Sequence, residues 1–169
     1  MRSTRQQVSA RLAIMIATCM AAFTAMAAGP QPSSPLTQRV VLAGSQPSTF
    51  GSAGNFTGRA RVDPLFSPEF GLSASAAYVT FEPGARSAWH THPGGQRLVV
   101  VSGVGLTQYW GGPVQEVRPG DVVICPPDVK HWHGAAPTTA MTHLAVSGVV
   151  GDKTVQWMEK VNDDQYSAR

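Results

Sequence analysis

From residue 74 onward, the chain consists of short apolar runs separated by turns that contain Gly or Pro. Runs of this length at such spacing, without a convincing long helix, are typical of antiparallel sheets. The pattern therefore predicts an all-β sandwich or barrel. The predicted strands are Ala74–Glu82, Arg97–Ser102, Gly105–Trp110, Val114–Arg118, Asp121–Cys125 and Met141–Val150.

The pattern is less regular at the two flanks of this region. We expect an edge strand at Arg39–Ala43 and a loop over Gly44–Gly58, which is rich in Gly, Ser and Asn. Within residues 56–66 we expect a short strand that ends at Asp63-Pro64. Near the C-terminus, Asn162–Tyr166 favours a short helical turn with Asn162 or Asp163 as its cap.

Strand parity indicates which side chains face the interior, since successive side chains on a strand point to opposite faces. On the last strand one face carries His143 and Ser147, with Met141 and Ala145, and the other carries Thr142, Leu144 and Val146. The same argument places Ala77, Val79 and Phe81 on one face of their strand. Trp132 should point outward, against a second sheet or a second subunit.

The N-terminus has the pattern of an export signal. Residues 1–27 contain three arginines, an apolar run at Leu12–Ala22 and a small-x-small cleavage site at 25–27. We therefore expect a periplasmic or secreted protein. Residues 28–37 are rich in Pro and Ser and predict a flexible leader. Residues 38–166 would then form a single domain.

Removal of the signal changes the charge and the cysteine content. Three of the 13 Lys and Arg residues lie in the signal, which leaves 10 basic against 10 acidic residues. This balance gives no basic patch for nucleic acid, and nothing after the signal predicts a membrane span. Cys125 remains as a lone cysteine, which cannot form a disulfide within its domain. We interpret it as a buried apolar residue rather than a reactive thiol.

The spacing of the histidines indicates a chemical function for this sequence. His90 and His92 are two residues apart, and Gln96 follows after a Pro-Gly-Gly turn that can fold the chain back. His131 and His133 repeat the two-residue spacing. Imidazoles two apart on a strand share a face, so these side chains and the amide oxygen of Gln96 could meet at one point, as a metal site requires.

These two segments resemble the two motifs of the cupins. Gly84, His90, His92, Gln96 and Gly103 follow the spacing of the first motif, with Gln in place of the usual Glu. The second motif is matched by its Gly, Pro and His, whereas Asp replaces its second Gly and Ala replaces its Asn. The matching residues are Gly120, Pro126 and His131, and the departures are Asp128 and Ala135. The resemblance implies a single-domain jelly-roll β-barrel with a metal site.

Gln96 would change the charge at such a centre. Three neutral imidazoles and a neutral carbonyl oxygen leave a divalent cation its full charge, so it should be a strong Lewis acid. The alternative is a metal bound by His90, His92 and His131 with water. Manganese, iron, nickel and zinc all accept such ligands. His133 and His143 are then surplus to binding, and a cation nearby would keep them neutral and available as general bases. Alternatively, they only form hydrogen bonds inside the barrel.

A closer resemblance covers residues 39–166. FTGRARVDPLF, VTFEPGARSAWHTHP, GDVVICPPDVKHWHGAAPTTAMTHLA and WMEKVNDDQY are similar to the small bacterial manganese-dependent cupins with hydroxynitrile lyase activity. The resemblance implies Mn²⁺ held by the three histidines and Gln96, catalysis by the two further histidines, and a substrate pocket at three positions. These residues are His90, His92, Gln96 and His131 for the metal, His133 and His143 for catalysis, and Ala77, Val79 and Ser147 for the pocket. Ser147 departs from the family, which usually has a larger glutamine there.

The implied reaction is the reversible cleavage of a cyanohydrin into an aldehyde or ketone and hydrogen cyanide. The substrate would be a small molecule, and we expect a homo-oligomer, either a dimer or a tetramer. Two alternatives belong to other classes. A cupin dioxygenase would need a redox-active metal and would consume oxygen. A binding protein without chemistry would not need His133 and His143 beside the metal ligands.

Overall fold

Residues 37–168, which the computed structural model describes, form two antiparallel sheets and one short helix. The strands are β1 Thr49–Phe50, β2 Phe56–Thr57, β3 Ala60–Phe66, β4 Ala74–Phe81, β5 Arg86–Ser87, β6 His90–Thr91, β7 Gln96–Gly103, β8 Gly105–Tyr109, β9 Gln115–Val117, β10 Val122–Cys125, β11 His131–Ala135, β12 Met141–Gly148 and β13 Gln156–Trp157, and the helix is α1 Asp163–Ser167. The export signal predicted at 1–27, and all but the last residue of the leader predicted at 28–37, lie outside these residues.

The two sheets form a jelly-roll barrel, which confirms the predicted all-β fold. The first sheet has the strand order β1-β3-β4-β12-β7-β10. In the second the order is β13-β6-β11-β5-β2, and β8 pairs with both β11 and β9. Neighbouring strands in both sheets run antiparallel. The metal-ligand candidates of the sequence therefore come from both sheets.

The parity prediction is confirmed on β12, the strand between β4 and β7. His143 and Ser147 are buried on the inner face, together with Met141 and Ala145, and the intervening residues are half-buried. On β4, Val79 is buried opposite His143, and Phe81 is buried opposite Met141. One end of the interior is thus filled by an apolar cluster. It contains Ala60, Val79, Phe81, Ala85, Val100, Ala135 and Met141.

A second apolar cluster lies on the outer face of the second sheet. It contains Trp89, Leu106, Trp132, Val161 and Tyr166. Trp132 does point away from the histidines, as predicted. Its partner, however, is the C-terminal segment of the same chain rather than a second sheet or subunit. Arg86 holds this segment in place, because its guanidinium donates to the Val161 carbonyl at 3.1 Å and to Asp163 at 2.6 Å.

The helix prediction near the C-terminus is confirmed. α1 begins after Asn162, whose side chain accepts a hydrogen bond from the Gln165 backbone, and the Gln165 side chain accepts one from the Asn162 backbone. This reciprocal pair satisfies two backbone donors that a helix start otherwise leaves free. In the described part of the chain, no helix is both long enough and apolar enough to cross a membrane.

Three expectations for the N-terminal half were wrong. Arg39–Ala43 forms no strand, and Val40 and Leu42 are 73% and 70% exposed. The sheet edge beside β3 is taken instead by β1, which lies within the predicted loop Gly44–Gly58, as does β2. β3 also continues past Asp63-Pro64 to Phe66. A register shift between Pro64 and Phe66 accommodates the proline, which cannot donate to the ladder.

Candidate metal centre and active site

Three histidines meet where the two sheets face each other. β6 and β11 pair so that His90 lies opposite His131, and His92 follows directly after β6. One ring nitrogen of each histidine lies within 4.8 Å of the others, and all three residues are buried. The structure thus brings together the histidines that the sequence predicted as metal ligands.

The tautomer of each of these histidines is fixed by a backbone carbonyl. Nδ1 of His90 lies 2.9 Å from the Ala88 oxygen, Nδ1 of His131 lies 2.8 Å from the Val129 oxygen, and Nδ1 of His92 contacts the Thr154 oxygen. A carbonyl oxygen can only accept, so each Nδ1 must donate its hydrogen. In the neutral ring Nε2 then has no hydrogen, and its lone pair is free to bind a metal.

Gln96 brings a fourth candidate ligand to the same point. Its amide oxygen lies 3.3 Å from His131 Nε2, and its amide nitrogen donates to Ser147 Oγ at 3.1 Å. The turn that brings Gln96 here packs tightly against the end of β12, since a Cβ on Gly94 would lie 2.5 Å from the carbonyl carbon of Gly148. Any larger residue at position 94 would therefore collide with the Gly148 backbone at the end of β12.

The contact between Gln96 and His131 tests whether a cation fits. Because His131 Nδ1 carries the ring hydrogen, both Nε2 and the Gln96 oxygen present lone pairs at 3.3 Å. Two lone pairs at this distance repel each other unless a positive charge lies between them. Nε2 of His92 is also buried without a hydrogen-bond partner. These residues therefore fit a divalent cation with three imidazole ligands and one amide oxygen.

Burial keeps these imidazoles neutral. It lowers the pKa of His92 to about 4 and lowers the pKa of His131. The pKa of His90 lies well below its usual value, first because of burial and then because of nearby His131. A metal can bind only the neutral imidazole, so each shift favours metal binding near neutral pH.

His133 and His143, the two histidines predicted as catalytic, form a pair beside this cluster. Nε2 of His143 lies 3.1 Å from Nδ1 of His133. The ring of His133 lies 5.1 Å from that of His90 and 6.0 Å from that of His131. Burial, followed by the proximity of His143, holds the pKa of His133 well below its usual value, and burial lowers the pKa of His143 to about 4. Both rings are therefore neutral at pH 7.

The two ring nitrogens that lie outside the His133–His143 contact have no hydrogen-bond partner among the described residues. His133 Nε2 and His143 Nδ1 are buried and make no hydrogen bond to any described residue. A buried ring nitrogen without a partner is costly in a purely structural role. The alternative that these histidines only form internal hydrogen bonds therefore accounts for one nitrogen of each ring and leaves the other unexplained.

The structure adds residues that the sequence interpretation missed. Phe81 packs its ring against both His133 and His143, at 5.7 and 5.8 Å between ring centroids. Trp157 packs against His90 at 4.9 Å. The carbonyl of Thr154 accepts from His92. Parity placed Phe81 on the inner face, but the order of the strands was needed to bring it to the histidines, and nothing in the sequence indicated the other two.

The three residues predicted to shape the substrate pocket lie on two adjacent strands. Ala77 is half-buried on β4 opposite Ala145 of β12, and Val79 belongs to the apolar cluster with Phe81. Ser147 is buried and in contact with Gln96. Cys125 is buried on β10, and burial raises the pKa of its thiol to about 11. This fits its interpretation as an apolar residue.

A jelly-roll barrel that gathers three histidines and an amide oxygen between its sheets has the architecture of a β-barrel protein with a candidate metal site. The sequence matches the cupin domain over residues 77–147. With this match and a curated relative of 60% identity, the chain belongs to the cupin family.

Three similar proteins are informative. The curated relative is an (R)-mandelonitrile lyase from Granulicella tundricola, identical at 60% of 124 residues, which span 73% of this chain and 94% of the relative. A crystal structure of a cupin-like protein from Thermotoga maritima shares 40% identity with a TM-score of 0.66, over 76% of this chain and 95% of that one. A cupin-2 domain from Rhodospirillum rubrum, at 20% identity and a TM-score of 0.58 over 81% of this chain and 88% of that one, shares the fold.

Proposed function

We propose that this protein is a metal-dependent cupin lyase that reversibly cleaves cyanohydrins into an aldehyde or ketone and hydrogen cyanide. The 60% identity to a mandelonitrile lyase supports this class of reaction. The observation that carries the proposal is the His133–His143 pair, whose outer nitrogens are buried without partners beside the metal-ligand cluster. A binding protein would have no use for such a pair.

His133 Nε2 is the group best placed to take the hydroxyl proton. It is the free nitrogen on the ring nearer to the cluster, since Nδ1 is engaged with His143. As the proton moves to Nε2, the bond between the hydroxyl carbon and the nitrile carbon breaks, and its electron pair leaves with cyanide. A neutral imidazole is suited to this step near neutral pH.

His143 allows the pair to share the proton. The 3.1 Å contact joins two nitrogens that can each donate or accept, so the Nδ1 proton of His133 can pass to His143 Nε2. Cyanide then takes a proton from one of the two histidines, which returns the pair to its neutral state. The packing of Phe81 against both rings keeps water away from this exchange.

A divalent cation bound by His90, His92, His131 and Gln96 would supply Lewis-acid polarisation of the substrate oxygen and an attractive field for cyanide. We propose manganese on the basis of the family resemblance. Iron, nickel and zinc remain chemically compatible with these ligands.

Anaerobic cleavage of mandelonitrile, with elemental analysis of the same purified sample, tests this function. We expect one equivalent of metal per chain and benzaldehyde release that does not change when oxygen is removed. Activity that requires and consumes oxygen would instead indicate a dioxygenase. If the protein holds stoichiometric metal but does not cleave cyanohydrins, the result would indicate a binding protein without catalytic activity.

We also propose that the protein is an exported homo-oligomer that acts on a small molecule, with a cleaved signal at 1–27, a leader at 28–37 and a cupin domain at 38–166. We expect it to bind neither nucleic acid nor, after cleavage, membranes. The sequence of the signal supports export. An apolar row across the outer face of the first sheet supports self-association. It consists of Tyr78, Leu144, Val99 and Val122, which are paired neighbours on β4, β12, β7 and β10 and are all half-buried or exposed.

A further inference from the structure

A cavity of about 420 Å³ lies between β10 of the first sheet and the β8–β9 hairpin of the second. It is partly open to solvent, and His131, one of the metal-ligand candidates, lines it. We call it the β8–β10 cavity. Its other lining residues include Thr107, Tyr109, Val117, Val123 and Cys125. This volume falls in the range of small-molecule sites in proteins.

The strand registers show that part of its lining faces the barrel interior, while exposed Val122 and Ile124 line it at the edge of the sheet. Residues directly opposite each other in an antiparallel pair point to the same face. Cys125 lies opposite Gln96, and Val123 lies opposite buried Leu98, so both β10 side chains point inward.

The hairpin forms the other wall in the same way. Thr107 lies opposite His133, and Tyr109 lies opposite His131. The cavity therefore reaches His131 of the metal-ligand cluster, and Thr107 on its wall is the strand neighbour of His133, the residue that we propose as the base.

On the β4 side, apolar core side chains pack against the histidine pair. Phe81 packs against both His133 and His143, and it shares an apolar cluster with Val79 and Met141. Val79, which the family resemblance assigns to the substrate pocket, is thus in contact with core side chains. A substrate that presents its hydroxyl to His133 would place its organic group more readily toward β10 than toward β4.

We propose that the β8–β10 cavity holds the organic group of the substrate, with Cys125 and Val123 on one wall and Thr107 on the other setting the size that is accepted. This inference rests on the proposed function. The valines and the neutral thiol suit an apolar group such as a single aromatic ring. The Thr107 hydroxyl already donates to the Trp132 carbonyl at 2.9 Å, so it can offer a ligand only acceptor lone pairs.

Filling the cavity from one wall tests the inference. The Cys125→Phe variant is compared with Val101→Phe, which adds the same bulk to a half-exposed residue of neighbouring β7 outside the cavity. In the metal-loaded full chain we expect Cys125→Phe to lower kcat/KM for mandelonitrile at least 10-fold more than kcat/KM for acetone cyanohydrin. Calorimetric titration should also show benzaldehyde binding at least 10-fold weaker. Val101→Phe should change neither quantity more than about twofold.

The outcomes separate this inference from the proposed function. Unchanged selectivity and unchanged benzaldehyde affinity in a folded, metal-containing Cys125→Phe variant would overturn the cavity assignment, even if the wild type is an active lyase. A wild type that binds benzaldehyde through this cavity and cleaves no cyanohydrin would overturn the lyase proposal alone. If Cys125→Phe does not fold, Val123→Phe applies the same test, since Val123 is half-buried on the same wall.

Discussion

The side-chain amide of Gln96 is oriented by Ser147, whose Oγ accepts a hydrogen bond of 3.1 Å from the amide nitrogen. The amide oxygen is thereby turned toward His131 Nε2. Without this hydrogen bond the amide could rotate and present its nitrogen, which cannot bind a cation. Ser147 lies at the end of β12, so the geometry of the centre depends on a residue that does not itself bind the metal.

Removing the Ser147 hydroxyl should therefore weaken metal binding. We expect Ser147→Ala to lose ~10-fold in metal affinity, as is typical when a ligand loses its orienting partner. The measurement is competition with a chelator of known affinity. Ser75→Ala is the matched control, because Ser75 lies opposite Ser147 on β4 and makes no described contact with Gln96. Equal metal affinity in the wild type, Ser147→Ala and Ser75→Ala would show that the Gln96 amide keeps its orientation without the Ser147 hydroxyl.

The charge of the ligand at position 96 should control rate more than affinity. Gln96→Glu adds a negative charge, so metal should bind at least as tightly. Cleavage should nevertheless slow ~10-fold, because the cation would polarise oxygen less and attract cyanide less. Metal content and mandelonitrile turnover are measured together, with Gln96→Ala as a variant expected to bind metal more weakly. Full activity in a metal-loaded Gln96→Glu variant would show that the neutral ligand does not set the chemistry.

The inner face of the barrel could be read from the sequence because strand parity is a local property. The alternation on β12 and the two-residue spacing of the histidines needed no knowledge of strand order. The Pro-Gly-Gly turn after His92 also indicated Gln96 as a candidate ligand, and the structure places Gln96 beside His131.

Features that depend on distant contacts could not be predicted in this way. Arg39–Ala43 has a strand-like pattern, but β1 occupies the sheet edge that it would need. Trp132 was recognised as outward-facing, whereas its cover by Val161 and Tyr166 follows from how the C-terminal segment returns across the sheet. The Thr154 carbonyl that orients His92 is a backbone group, which no side-chain pattern reveals.

The metal-free protein should lose stability in mild acid because of His143. Its pKa is about 4 in the folded protein against 6.5 for a free histidine, so the unfolded chain binds more protons between these values. The neutral ring is therefore stabilising above about pH 6.5, and this contribution is lost as the pH falls toward 4. From about pH 7 to about pH 4.5 the loss should be on the order of 2 kcal/mol.

Urea unfolding of metal-free wild type and His143→Gln at the two pH values measures this contribution. Between the two pH values, the free energy of unfolding of His143→Gln should change less than that of the wild type, by that amount. Part of the pH dependence remains in the variant, because His133 and His90, which lie near His143, also titrate. Identical pH dependence in both proteins would mean that His143 is already protonated in the folded state or is not buried in solution.

The export prediction concerns residues outside the described part of the chain. When the full chain is expressed in a bacterium, we expect periplasmic protein with a new N-terminus near Ala28, because residues 25–27 form the predicted cleavage site. N-terminal sequencing of the fractionated protein tests this. A chain that begins at residue 38 should stay in the cytoplasm. Intact full-length protein in the cytoplasm or membrane would contradict periplasmic or secreted localisation.

The roles of His133 and His143 differ from those of the metal ligands, and variants can separate the two. His133→Ala and His143→Ala should keep stoichiometric metal, because neither ring belongs to the three-histidine cluster. Each should lose ~100- to 10,000-fold in cleavage rate, the usual contribution of a general acid–base group. His92→Ala serves as the contrast, since it should lose metal and activity together while the barrel remains folded.

The dependence of kcat/KM on pH distinguishes a proton-transfer role from a structural one. The wild type should show a limb that rises as the base loses its proton, and the variant without that base should lack this limb. Metal that leaves with His133 would make it a ligand and would put the assignment of Gln96 in doubt. If both variants keep metal and full rate, the histidine pair is structural, and the lyase proposal loses the observation that carries it.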